Sequence, residues 1–229
     1  MKLKAAFRYQ AVELVQSAAV FCLIVGAIIV AFYVMNITQV AYISVPNLGF
    51  LPYVLMPLLV LSTLPGDVRF LMQMGLTRTQ MIASTAASFG AACLFLAAVE
   101  AVCSLALPFW PVTQSLFLMT YGAGNGPVLD FLFMFLGCAA ASGAALAFAA
   151  LQMRFGTRCV VLAAAAAAIV AIGVLSSVEG AAWAFSGAVS WLFGLAPGAG
   201  LANPFLLFAA VAALGVAVAW ASVRRIEVR

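Results

Sequence analysis

All ten Lys and Arg residues fall in four clusters, Lys2/Lys4/Arg8, Arg69/Arg78, Arg154/Arg158 and Arg224/Arg225/Arg229. Apolar stretches separate each cluster from the next, each with room for two bilayer crossings, and no Lys or Arg occupies the turn between the two. In membrane proteins these residues accumulate in the loops that stay on the cytoplasmic side. Independent placement would put ten charges on one side roughly once in a thousand cases, so the pattern sets an orientation as well as a span count. The expectation is an all-α polytopic membrane protein with six transmembrane helices, both termini cytoplasmic, and a single transmembrane domain over residues 1–229.

Composition agrees. Charged residues make up 7% and hydrophobic ones 67%, whereas a soluble domain carries about 25% charged residues. A water-soluble fold of this size has no means of hiding so much apolar surface. The net charge of +4 resides in the four clusters. It therefore reports topology and membrane lipid headgroups. No basic stripe interleaves with aromatics, so no nucleic acid partner is expected.

The chain has no His, and its five cysteines (Cys22, Cys93, Cys103, Cys138, Cys159) include no C-x-x-C pair. Small buried hydrophobes is the reading for these thiols. His-bearing zinc sites, His bases and Ser–His protease arrangements are excluded, and no metal site, cofactor or catalytic residue is expected. The apolar run at 17–35 is longer than a signal-peptide core and Phe21 spoils a lipoprotein-type cleavage site before Cys22, so the segment is read as retained.

Along the chain, residues 2–13 place Leu3 and Phe7 on one helical face with Lys4 and Arg8 beside it. This suits a short amphipathic helix in the inner interface, or a plain positively charged flank. Spans are expected at 17–35, 50–64, 80–107, 127–151, 159–175 and 204–223. Span two is short for a crossing: about 15 residues rise only some 22 Å, and Pro65-Gly66 close it. The 137–145 stretch and the unbroken alanines at 163–168 have the character of helix-packing surfaces, within one chain or against another copy. Between spans five and six, residues 176–203 carry Trp183, Phe185, Trp191 and Phe193 among Gly and Pro. That segment belongs at headgroup level or dips partly into the protein.

Two sets of residues stand out. In the loop at 66–80, polar Asp67, Arg69, Gln73 and Arg78 alternate with Val68, Phe70, Leu71, Met72 and Met74. A short helix capped near Asp67, ended by Gly75 and followed by a helix capped by Thr77, is expected. Its exposed apolar residues call for a partner or a membrane. The other set is acidic: Glu100, Asp130 and Glu179 fall near outer span ends or in the outer segment. They read either as an outer gate or cation- or peptide-contacting rim, or as carboxylates snorkelling at the interface.

The run Phe70-Leu71 … Gly75-Leu76-Thr77-Arg78 between spans two and three of a six-span chain resembles the small bacterial permease subunits of type-two ABC exporters, lantibiotic and antimicrobial-peptide exporters among them. The resemblance covers the whole chain by topology and this one loop by sequence. It implies that the loop is a coupling helix docked on a separate cytosolic ABC ATPase subunit, with Arg69, Phe70, Gln73, Gly75 and Arg78 as coupling residues. It also implies an interfacial N-terminal helix, a re-entrant outer segment, a second permease copy or paralogue, and residence in the bacterial inner membrane among its lipids. The chain carries no Gly-x-x-x-x-Gly-Lys-Ser/Thr phosphate loop, so ATP hydrolysis is expected only in the partner. Two other readings stay open: the substrate-binding membrane subunit of an energy-coupling-factor importer, and a non-transporting membrane scaffold or immunity protein.

Overall fold

The computed structural model describes residues 2–38, 49–106, 115–122, 125–177 and 180–224, and among them there are helices and no strand. The helices are α1 (Lys2–Ile37), α2 (Leu51–Gln73), α3 (Arg78–Ala106), α4 (Leu116–Tyr121), α5 (Pro127–Phe155), α6 (Thr157–Ser177), α7 (Ala181–Leu192) and α8 (Ala202–Val223). Six of them, α1, α2, α3, α5, α6 and α8, are long and apolar enough to cross a membrane. The fold is all-α and of the polytopic kind that the charge clusters anticipate.

Residues 2–13 do not form a helix of their own. They are the first turns of α1, which runs unbroken for 36 residues, about 54 Å at 1.5 Å per residue. The stretch contains no proline and no glycine before Gly26, so nothing kinks it. Leu3 and Phe7 are exposed, while Ala6, Gln10, Leu14 and Ala18 turn inward at four-residue spacing.

Span two corrects the sequence reading as well. Pro57 and Pro65 lie inside α2, which continues through Gly66 for 23 residues. A proline inside a helix costs ~3 kcal/mol. Here Leu64, Val68 and Leu71 are almost wholly buried on one face, and that packing outweighs the lost hydrogen bond. Asp67 therefore caps nothing, and the expected separate coupling helix is the last turns of α2. The stop itself falls where the sequence places it. Gly75 adopts φ +72°, Leu76 N–H donates to Leu71 O at 3.2 Å, and Gly75 N–H donates to Met72 O at 3.0 Å. That is the paired closure of a left-handed glycine cap. Thr77 then opens α3 with a capping box, its hydroxyl accepting from Gln80 N–H (3.4 Å) while Gln80 Oε1 accepts from Thr77 N–H (3.2 Å).

At the centre stands α5, packed against α2, α3 and α8. The small residues of 137–145 permit this. A Cβ on Gly143 would fall 2.9 Å from the Ala212 backbone, one on Gly215 would strike Gly143, and one on Gly137 would strike the Tyr53 ring. This surface packs within the chain. The alanine run of α6 does not: no residue of α6 or α7 is buried.

Candidate functional site

The basic clusters come together at one end of the bundle. Arg78 at the start of α3 donates to the Arg224 carbonyl beyond α8 at 2.8 Å, and the Arg224 guanidinium lies 4.5 Å from the Trp220 ring centroid. Gly75 and Thr77 make the α2–α3 turn at this same end, and Gly156 (φ +87°) makes the α5–α6 turn.

Beneath that turn lies a buried polar hub that joins three helices. Gln10 on α1 is 2% exposed. Its amide donates to the Asp67 carboxylate of α2 at 2.8 Å and to the Thr85 hydroxyl of α3 at 3.2 Å. Ser84 donates back to its carbonyl oxygen at 2.8 Å, and Ser88 donates to the Ser84 carbonyl at 2.9 Å. Each polar group that Gln10 brings into the interior thus finds a partner, the condition for tolerating it there.

Above the hub, the Tyr9 and Phe70 rings stand 5.3 Å apart. They share a cavity of about 250 Å³ with Ala6, Leu71, Met74 and Leu76. Phe70 is 41% exposed and Gln73 is exposed. Arg69 lies on α2 with its side chain outside the described residues. Of the five expected coupling residues, Phe70, Gln73, Gly75 and Arg78 thus surround one turn and its apolar groove. Tyr9 and the Gln10 hub are additions that the sequence does not announce.

The acidic residues lie elsewhere. Glu100 is 22 positions beyond Arg78 on α3, about 33 Å along the helix, and Asp130 occupies the first turn of α5. Glu179 lies outside the described residues. Asp130 is 2% exposed and neither carboxylate oxygen has a hydrogen-bond partner. It is therefore not a snorkelling interface group. Asp130 heads the face of α5 that carries Met134, Gly137 and Cys138, the face on which Tyr53 of α2 packs. Glu100 lines a cavity of about 120 Å³ between α1, the start of α2 and α3.

The far end also holds an aromatic cluster: Phe117 and Tyr121 of α4, Phe133 of α5, and Phe205 and Phe208 of α8, with neighbouring rings 5.0–6.4 Å apart. The Tyr121 hydroxyl donates to the Phe193 carbonyl just past α7, and Asn203 donates to the Trp191 carbonyl at 2.9 Å. These contacts hold the C-terminal end of α7 against the bundle, while Trp183 and Phe185 stay exposed. Compared with known proteins, the chain matches no family model, no curated protein and no solved structure.

Proposed function

We propose that this chain is the transmembrane permease subunit of an ABC exporter, a multi-pass protein of the bacterial inner membrane with cytoplasmic termini, moving an amphipathic peptide or lipid-like compound. The ATP is hydrolysed by a separate cytosolic subunit. What supports this reading is the construction of the α2–α3 turn. It presents an apolar groove, between Tyr9 and Phe70, at the basic end of the bundle. The same turn is fastened to α1 through Gln10–Asp67 and towards α8 through Arg78–Arg224. A push on such a turn bears on α1, α2 and α3 at once, because the Gln10 hub bonds all three, and on the end of α8 through Arg78. Alternating access requires that property of a coupling element. In this reading the end of α2 is the coupling helix, the first turns of α1 extend its span beside that coupling helix at the cytoplasmic end, and α7 is the outer segment.

The experiment searches the neighbouring genes for an ABC ATPase and co-expresses any found there with this chain, followed by purification through a tag on this chain and an ATPase assay in lipid nanodiscs. The expected result is a stable complex that hydrolyses ATP, whereas the chain alone hydrolyses none. Hydrolysis by the chain alone, or failure to recover the ATPase, refutes the reading. The cavity beside Glu100 favours an alternative, the substrate-binding subunit of an energy-coupling-factor importer. A vitamin retained through purification would decide for it.

A further inference from the structure

Two carboxylates occupy the far end of the bundle without a protein counter-charge. On their own helices the nearest cations, Arg78 and Arg154, are 22 and 24 residues away, about 33 and 36 Å at helical rise. The far ends of α1, α2 and α8 carry no Lys or Arg either. Asp130 is buried with both oxygens unpartnered, and an unpaired ionised carboxylate in such surroundings is costly. Cys93 of α3 and Ser142 of α5 meet at 3.8 Å. Glu100, seven residues further along α3, and Asp130, twelve residues back along α5, therefore lie towards the same end of two adjacent helices. The Tyr53 ring of α2 packs at Gly137. Cys22 and Cys103 flank Glu100 in the cavity, and Cys138 follows Asp130 along α5. None of these groups supplies a positive charge.

The cavity wall indicates what does. Val25, Ile29, Pro52 and Val99 surround the single charged residue, Glu100. Among the described residues no three Cys, Asp or Glu side chains are placed to hold a metal ion. An organic cation needs one ionic partner and apolar walls, and an aromatic face helps it. We propose that Glu100, backed by Asp130, is the receptor for one ammonium group, carried on an alkylamine-type ligand whose apolar part fills the cavity between α1, α2 and α3. This deepens the transport reading by naming its ligand class. Binding is measured without an ATPase, so the two ideas fail separately.

Cys103 in the cavity wall supplies the readout, and exposed Cys159 on α6 the internal control. The full chain, purified in nanodiscs, is treated with a small maleimide and the modified sites are resolved by peptide mass spectrometry. The probes are n-hexylammonium chloride, n-hexanol, and NaCl or KCl at equal ionic strength. Hexylammonium is expected to slow modification of Cys103 and leave Cys159 unchanged, with hexanol and the salts inert. Glu100→Gln should abolish the protection, and Asp130→Asn should weaken it by less, because Glu100 lines the cavity and Asp130 acts on it from behind the wall. Equal protection by hexanol makes the cavity merely apolar and overturns the proposal. So does protection by the salts, which assigns the site to an inorganic cation. A rate that responds only to pH assigns the pair a shared proton, again against the proposal. If Asp130→Asn does not remain monodisperse, Glu100→Gln decides alone: protection equal to that of the parent protein ends the idea.

Discussion

Gln10 and Asp67 are 57 residues apart in the chain and 2.8 Å apart in the fold. Their hydrogen bond fastens the first turns of α1 to the last turns of α2, next to the turn that is proposed to receive the ATPase. Gln10→Leu removes the hub and leaves Asp67, Ser84 and Thr85 to find other partners in a buried place. A loss of about 1–3 kcal/mol is expected for each group left without one. Thermal unfolding in detergent checks it, with exposed Lys4→Gln as the unaffected comparison. An unchanged midpoint for Gln10→Leu would mean that water replaces the amide at no cost.

The docking role of the α2–α3 turn is tested by Phe70→Ala and Arg78→Glu. Truncating a central aromatic anchor commonly costs more than ~1 kcal/mol of binding. Both variants should insert normally, recover less ATPase in pull-down and uncouple transport. Arg69→Lys should weaken recovery more than its retained charge suggests if that guanidinium makes a bidentate pair. Glu100→Gln should leave recovery unchanged. Recovery at the parent level for both Phe70→Ala and Arg78→Glu would reduce the turn to a connection.

Topology has its own measurement. Reporter fusions or cysteine labelling at Gly75 and Gly156 should report the cytoplasm. Asn47 (outside the described residues), Asn125 and Gly198 should report the opposite side. A reporter at Gly75 on the outer side ends the proposed orientation.

Close packing of α5 on α8 depends on two glycines. Gly215→Leu and Gly143→Leu each force a side chain into the opposite backbone, and overpacking of this kind typically costs about 1–3 kcal/mol. Gly173→Leu on α6 meets nothing within 4 Å and should leave stability unchanged. Thermal unfolding of the three variants separates packed from unpacked surface. Equal losses in all three would contradict the arrangement.

Tyr121 gives a pH signature. Partial burial lifts its phenol above the ordinary value of 10.0, and the neutral hydroxyl donates to the Phe193 carbonyl. A phenol raised by folding contributes stability that is present below the unfolded value and lost as pH rises through the folded one. Attachment of the α7 end should therefore weaken above about pH 10. Tyr121→Phe should abolish that alkaline step, followed by proteolysis or amide exchange of residues 193–201. A step of equal size in Tyr121→Phe would assign it to another group.

The spans were readable because lipid leaves a helix few alternatives: apolar length and the placement of Lys and Arg suffice for α3, α5, α6 and α8. Single residues in conflict with their neighbourhood were not. Pro65-Gly66 is a strong local stop signal, yet α2 runs through it because Leu64, Val68 and Leu71 find a surface that no local pattern reveals. Gln10 resembles any polar residue on a basic flank. Only its spacing of four from Ala6 and Leu14 hints at the buried face, and its partners come from 57 to 75 residues away. Gly75 and Thr77 were readable because a left-handed stop and a capping box are local devices that need no distant partner.

The bareness of α6 separates two physical roles within one bundle. A polar substitution in α5 meets protein, so its cost depends on which neighbour can bond to it. Residues 163–168 of α6 are exposed, so the same substitution there meets only what surrounds the bundle, lipid or a second copy. A scan of polar substitutions along 163–168 separates the two: lipid gives the same transfer cost at each position, whereas a second copy gives a cost that rises and falls with the helical period.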